Sequence, residues 1–304
     1  MFKHATVLIP TYNSLARLER CLAALREQNC PDFEIVVVDD GSQDGTADYL
    51  TALNWQRLKW QHLSENQGRS AARNQAIALA EAPLLIFLDS DMIVCPDFVA
   101  AHLHFHRHHG AGWIGQGRVI ISHDDANPTL TPFSPWTDAS RAFFATGNVS
   151  VAKAAVEKAG GFDLAFRHYG WEDLELGLRL RQQGLKSRPV PAAVGYHLEP
   201  PFDLADWPVL IAKEQARARG AWHFFNKHPC LEVRLMTQLT PLHPWLDSLL
   251  RLGGRVNEAG VLNALQNMQR RGQAKMALAL ARAYLNHYYL AELALVQQKG
   301  PLVV

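Results

Sequence analysis

What this chain has little of narrows the field before any motif is read. Its 304 residues hold four cysteines, Cys21, Cys30, Cys95 and Cys230, and no CxxC pair. That density excludes a disulfide scaffold and leaves bland core or surface thiols, as expected in a reduced, cytoplasmic setting. Neither charge is in excess: 30 Lys+Arg face 29 Asp+Glu, a formal net charge of +1, so nucleic acid is not an expected partner. No apolar run is long enough to cross a bilayer. The first, Ala5–Ile9, follows MFKH and stops at Pro10, too short for the core of a secretion signal. The stretch 274–296 is interrupted by Lys275, Arg282, His287 and Glu292. Internal repeats and low-complexity tracts are absent. No GxGxxG follows the first apolar run, which removes the dinucleotide fingerprint of a dehydrogenase.

With 48% hydrophobic residues, a globular protein with a full core remains, as two domains or one large α/β domain with an appendage. Short apolar runs at Ala5–Ile9, Glu34–Val38, Leu58–His62 and Leu84–Leu88 alternate with helical patterns at Leu15–Gln28, Thr46–Leu53 and Ser70–Ala80. This alternation predicts a mostly parallel, Rossmann-like sheet with helices on both faces, because strands covered on both sides read as continuous apolar runs. A loose, polar stretch from residue 122 to 136 follows. Further elements are a helix near Lys153–Ala159, a turn at Gly160–Asp163, a helix over 174–183 ended by Gly184, and a strand over Ser187–Tyr196. From Pro201 the pattern is helical, with breaks near Pro229, Pro241, Pro244, Gly253-Gly254 and Gly272. The predicted domains are therefore 1–200 and 201–304.

Ligand chemistry in a parallel sheet gathers beyond the C-terminal strand ends. Pro10 and Tyr12 follow the first run, Asp39 and Asp40 with Gly41 and Ser42 close the second, and Asp89-Ser90-Asp91 closes the fourth. Two carboxylates at i, i+2 can hold a divalent cation such as Mg²⁺ or Mn²⁺ against a diphosphate, or stand as solvated loop acids. Asp39 or Asp40 can accept hydrogen bonds from a base or ribose, or cap a turn; Tyr12 offers a stacking ring. Arg73, in GRSAARNQA, can present a guanidinium to phosphates. Asp173, with Glu172 beside it, can act as a general base or cap the helix that follows. The dense histidine run HLHFHRHH (102–109) reads as a surface helix whose charge rises below neutral pH. Trp113 and Trp136 flank the loose stretch as sugar-stacking or packed aromatics.

Taken together, VLIPTYN, VVVDDGSQDGT, ENQGRSAARNQAI and FLDSDM resemble the family-2 inverting glycosyltransferases of GT-A fold over residues 5–199. TGNVSVAKAAVEKAGGFD and YGWEDLELGLRLRQQG are similar to the acceptor-side half of that family, closest to galactosyl- and N-acetylgalactosaminyl-transferring branches, with Tyr169 as the aromatic before the glycine. The resemblance implies transfer from a nucleotide diphosphate sugar, with UDP-sugar the expected donor, to a glycan or lipid-linked acceptor. Pro10, Tyr12, Asp39, Asp40, Arg73, Asp89 and Ser90 would line the nucleotide sugar. Asp91 and His197, with Asp89, would hold Mn²⁺ or Mg²⁺; His197 is expected just past the last strand. Asp173 or Glu172 would be the catalytic base, and Trp171, Trp136, Gly147 and Asn148 would meet the acceptor. The family's membrane synthases carry a Q-x-x-R-W motif that this chain lacks, so transfer of one sugar or nonprocessive extension is expected.

Charge separates the two regions: residues 201–304 hold 12 Lys+Arg against 7 Asp+Glu, and residues 1–200 hold 18 against 22. A basic helical region with WHFFNKH and an apolar 275–295 helix fits either packing, including a homodimer interface, or peripheral contact with an anionic membrane at its inner face.

Overall fold

The computed structural model describes residues 2–124, 126–134, 143–166, 170–200, 202–251, 253 and 255–300. The chain divides into two compact units, residues 1–167 with 172–200, and residues 168–171 with 201–304.

In the first unit, β1 (Ala5–Thr11), β2 (Phe33–Asp39), β3 (Leu58–His62) and β4 (Leu84–Leu88) alternate with α1 (Leu15–Arg26), α2 (Thr46–Ala52) and α3 (Arg69–Leu79). These four strands pair in parallel, so their C-terminal ends share one edge. The continuous apolar runs split by the two-residue period of a strand. Val7 and Ile9 of β1 pack with Leu18, Leu22 and Leu25 of α1, while Leu8 packs with Ala72 and Ala76 of α3. The sheet thus has a core on each face.

The chain continues through β5 (Met92–Val94), α4 (Phe98–His109), β6 (Trp113–Ser122), β7 (Asn148–Ala152), α5 (Lys153–Lys158), α6 (Glu172–Gln182) and β8 (Lys186–Leu198). The sheet order is β3-β2-β1-β4-β7-β6-β8-β5. β7 runs antiparallel to both neighbours, β8 runs parallel to β6, and β5 closes the edge antiparallel to β8. The parallel expectation therefore describes the β3-β2-β1-β4 half, and the other half is mixed. The backbone from Leu88 to Met92 reaches at most about 14 Å, whereas β4 and β5 stand four strand spacings apart, about 19 Å in a flat sheet. The sheet must curl to bring its last strand back beside β4.

β8 is longer than the strand read from sequence, and His197 lies inside it, because β5 pairs there with Met92 opposite His197. Against β6, β8 slips by three residues: Gly117 faces Val190, but Arg118 faces Val194.

The second unit is helical: α7 (Trp207–Lys227), α8 (Leu231–Met236), α9 (Leu242–Leu250), α10 (Glu258–Arg270) and α11 (Ala274–Lys299). Pro244, expected to break a helix, sits in the first turn of α9, where no intrahelical N–H bond is required. The apolar α11 packs on α7 and α10 and buries Ala277, Ala281, Tyr284, Leu285 and Tyr289. Among the described residues no helix is long and apolar enough to cross a membrane.

Candidate active site

The loops after β1, β2 and β3 are stapled to one another by side chains. Asn13, in the left-handed region at φ 44°, donates its N–H to Ser42 Oγ (2.8 Å) and accepts the Gln43 N–H at Oδ1 (2.8 Å). Asp39 is fully buried; it accepts from the Ser42 N–H (3.1 Å) and lies 2.8 Å from His62 Nδ1 at the end of β3. Asp40 accepts from the N–H groups of Gln67 (2.8 Å) and Gly68 (2.9 Å) just before α3. Burial pushes its carboxyl above the usual carboxylate range, outweighing those two hydrogen bonds. Gly41 has φ 80°, and a Cβ there would stand 2.7 Å from the Glu65 carbonyl carbon, so only glycine lets the two loops touch. The Asp39 and Asp40 carboxylates thus shape the loops, and Tyr12 between them keeps an exposed ring. Pro10 is the penultimate residue of β1, half-buried beside Val38.

Arg73 lies buried on α3, tying three elements together. Its Nη1 donates to Glu172 Oε1 at the start of α6 (2.9 Å) and its Nη2 to Asp89 Oδ1 after β4 (3.1 Å), with the guanidinium 5.5 Å from the Phe162 ring. Arg73, expected to present its guanidinium to phosphates, here uses two of its nitrogens to position carboxylates. Glu172 is likewise Arg73's buried partner. Asp173 is the freer of the two acids; it accepts the Leu174 N–H (2.7 Å), one residue on in the first turn of α6. Burial above all, then the charge of Glu172, push its carboxyl up to about 7 against the opposing pull of Arg73.

Asp89-Ser90-Asp91 forms the turn between β4 and β5. Asp89 Oδ2 lies where a Cβ on Gly147 would be 3.3 Å away, so Gly147 borders the site. Asp91 Oδ2 is 3.1 Å from His197 Nε2 and 3.8 Å from Arg17 Nη1. Burial would raise the Asp91 carboxyl, but the His197 hydrogen bond, its charge and Arg17 outweigh it and hold the group below its usual range. In return burial is outweighed at His197, whose imidazolium is favoured by Asp91 and Asp89.

Four polar atoms in these elements are buried with no hydrogen-bond partner among the described residues: Thr11 Oγ1, Arg73 Nε, Asp91 Oδ1 and Glu172 Oε2. Orphaned polar atoms in a native fold call for an explanation such as a bound ion. The donor set fits a divalent cation. Asp91 brings a spare oxygen, His197 a ring nitrogen, and Asp89 an oxygen beside Gly147, a mixture suited to Mn²⁺ or Mg²⁺. Among the described residues no group of three or more His, Cys, Asp or Glu is placed to hold a metal ion by itself, so ligand oxygens and water would have to complete the coordination.

Asn148, expected at the acceptor, is drawn inward instead. Its Nδ2 donates to the carbonyls of Arg118 (3.1 Å) and Ala193 (3.0 Å), the two strands' residues at the β6–β8 slip. That leaves its Oδ1 to accept from His102 Nε2 (2.9 Å), so His102 Nδ1 must accept from Ser150 Oγ (2.8 Å), and Ser150 in turn accepts from His106 Nε2 (2.9 Å). Ser150 Oγ also lies 3.4 Å from the Gly115 carbonyl, and His106 Nδ1 3.4 Å from that of Gly110. Burial holds His102 down at about 3 and His106 at about 4, so these two are neutral packing groups and the surface-helix expectation applies only to the outer face of α4. A Cβ on Gly117 would stand 1.9 Å from Asn148 Oδ1, and one on Gly115 2.7 Å from Ser150 Oγ. G-Q-G on β6 is thus space left for the relay. By sealing the slip, Asn148 sets the register of the segment that carries His197.

Trp171 is also corrected. Its ring is nearly buried, 6.1 Å from Phe224, and its Nε1 donates to the Arg217 carbonyl (2.8 Å), so it packs within the second unit. Trp136 lies outside the described residues. Arg17 and His62 escaped the sequence reading; Arg17 stands in the first turn of the helix after the Tyr12 loop, a position that periodicity assigns to solvent.

With this geometry in place, comparison with known proteins is direct. The profile of Glycosyl transferase family 2 matches residues 6–169, more than half of the chain. An uncharacterized glycosyltransferase, YfnE, of Bacillus subtilis is 31% identical over 255 residues, covering 65% of this chain and 65% of that protein. The validoxylamine A glucosyltransferase of Streptomyces hygroscopicus subsp. jinggangensis is 34% identical over 275 residues, 77% of this chain and 63% of that protein. The chain thus matches somewhat under two thirds of these relatives' own length. Among solved structures, the mannosyltransferase PcManGT of Pyrobaculum calidifontis, in complex with GDP-Man and Mn²⁺, superposes with TM-score 0.62 at 19% identity over 96% of this chain and 86% of that one. S. aureus TarS 1-349 in complex with UDP-GlcNAc gives 0.55 at 18% identity over 97% and 92%. These likenesses establish a GT-A fold, and the profile match over residues 6–169 establishes that the chain belongs to glycosyl transferase family 2.

Proposed function

We propose that this protein moves a sugar from a nucleotide diphosphate donor, a UDP-sugar, to a hydroxyl of a glycan or lipid-linked acceptor, with inversion in a single displacement assisted by Mn²⁺ or Mg²⁺. The observation that carries the reading is the gathering of four unpartnered buried polar atoms, on Thr11, Arg73, Asp91 and Glu172, around one sheet edge that also carries a carboxyl poised near 7. Tyr12 supplies a ring for the base, and the loops braced by Asp39 and Asp40 supply backbone groups for the nucleoside. Asp89, Ser90 and Asp91 would face the diphosphate, and Asp91 and His197 would hold the cation. A bound divalent cation neutralises charge on the departing diphosphate as a Lewis acid. Asp173 takes the proton of the attacking hydroxyl; with its carboxyl at about 7 it is ionised above that pH yet basic enough to accept. Glu172 and Arg73 hold Asp173 and Asp89 in a common frame, and Gly147 leaves room beside Asp89 for the sugar.

The test is a panel of UDP- and GDP-sugars, UDP-galactose and UDP-N-acetylgalactosamine included, given to the full chain with and without Mn²⁺ and with simple sugar acceptors. Metal-dependent release of UDP and a product of inverted anomeric configuration are expected. Donor binding without turnover on any acceptor would instead mark a noncatalytic nucleotide-sugar scaffold, and retained configuration would overturn the single displacement.

A further inference from the structure

Helix α9 carries its polarity the wrong way round. Leu242, Trp245, Leu246, Leu249 and Leu250 recur at i, i+3, i+4, i+7 and i+8, one continuous helical face, and all five are exposed, with no residue of α9 buried. The opposite face turns to its own unit. Asp247 Oδ2 lies 2.9 Å from His287 Nδ1 on α11 and 3.8 Å from Arg251 Nη1. Helices of a water-soluble fold do the reverse, and an exposed apolar stripe of this size marks an interaction surface. Leu231 and Leu235, four residues apart on α8, are exposed as well. By contrast, the segments with the strongest apolar signal in the sequence are covered: Phe224 of WHFFNKH and one side of α11 lie in the core of the unit.

Charge decides between occupants. From residue 231 to 257 the acids are Glu232, exposed on α8, and Asp247, turned inward onto His287 and Arg251, while Arg234 and Arg255 are exposed. Exposed arginines thus outnumber the exposed Glu232 around the stripe, in a region that carries 12 Lys+Arg against 7 Asp+Glu. Leucines around one tryptophan, flanked by arginines, match the interface of an anionic bilayer, where indole sits at the headgroups and leucine enters the acyl boundary. We propose that α9, with the exposed leucines of α8, lies in the plane of an anionic lipid surface as a reversible anchor. This deepens the proposed transfer by choosing the lipid-linked acceptor, and rests on that reading for this consequence alone.

The experiment is flotation of the full chain with vesicles of phosphatidylglycerol and phosphatidylcholine, and of phosphatidylcholine alone, at low and high salt. Binding to the anionic vesicles at low salt and its weakening at high salt are expected. A Leu246→Ser/Leu249→Ser variant is expected to lose roughly tenfold or more of the partition while keeping the wild-type melting curve. Absence of wild-type flotation, or equal flotation of the variant, overturns the anchor. So does a wild-type dimer in solution that the variant converts to monomer without any lipid binding, which would make the stripe a contact between copies. Hydrolysis of soluble nucleotide sugar, measured without vesicles on both proteins, tests the transfer reading separately.

Discussion

The two units differ in what they bury besides their apolar cores and in what they expose. Of the buried polar and charged side chains among the described residues, all but Thr237 lie in residues 1–200, whereas most of the exposed large apolar side chains lie in residues 201–304. The difference follows from what each backbone can offer. At the C-terminal edge of a sheet, loops leave N–H groups unclaimed, and buried carboxylates can take them, as Asp40 takes those of Gln67 and Gly68. A helical unit has satisfied its backbone internally and has few donors to lend. Thr237 manages burial by returning its hydroxyl to the Val233 carbonyl within the same turn (2.6 Å). Charge is therefore stored where chemistry is proposed, and apolar surface is displayed where contact is proposed.

The sharpest way to break this contrast is at Arg73. Arg73→Met leaves Glu172 and Asp89 without their buried partner, and unfolding in urea is expected to show a loss of about 3–5 kcal/mol. Because Arg73 holds Asp173 down, any residual activity should have its acid limb moved to higher pH. Next comes Asp173→Asn, for which transfer is expected to fall roughly 10²-fold or more with donor affinity kept. In the wild type, activity should fall as pH drops through about 7, where Asp173 protonates. Its raised carboxyl binds protons more tightly folded than unfolded, so its ionisation costs stability as pH rises from the usual carboxylate range to about 7. The Asn variant should then melt no lower than wild type at pH 8, which thermal scans at two pH values would check.

A smaller effect is expected at the relay. Asn148→Leu strands two carbonyls and His102, at about 1–3 kcal/mol, and hydrogen exchange of the β8 amides near His197 should accelerate. His102 and His106, held at about 3 and 4, impose a matching pH dependence. The unfolded chain binds their protons first, so stability is expected to decline as pH falls from about 6.5 toward 4. The least effect on stability belongs to the other unit. Leu246→Ser or Leu249→Ser on exposed α9 should change unfolding by about 0.5 kcal/mol or less. A larger loss would show that the stripe is covered in solution.

Much of the sheet was legible because its reasons are local. The runs 5–9, 34–38, 58–62 and 84–88 are apolar throughout since both faces are covered, and the observed β3 and β4 begin and end where those runs do. Asp89 and Asp91 stood out because a parallel sheet leaves its loops at one edge. The histidines of α4 misled, since i, i+4 spacing tells which residues share a face and not whether that face meets Ser150 and Asn148 or water. Asn148, placed at the acceptor by resemblance alone, lies instead at the β6–β8 slip, a feature with no sequence signature.

By itself, then, the amino-acid order determined the segmentation into strands and helices, the glycine at position 41, and which side chains could carry acid, base and metal chemistry. Tertiary structure decided what those groups do. Asp91 meets His197, 106 residues away, because β5 pairs with β8. Asp173 acquires a carboxyl near 7 because burial, Glu172 and Arg73 act on it at once. Whether α9 faces inward or outward was set by Asp247 finding His287 on another helix. Each depends on distances between residues far apart in the chain and on the burial those contacts create, which together set desolvation and Coulomb energies.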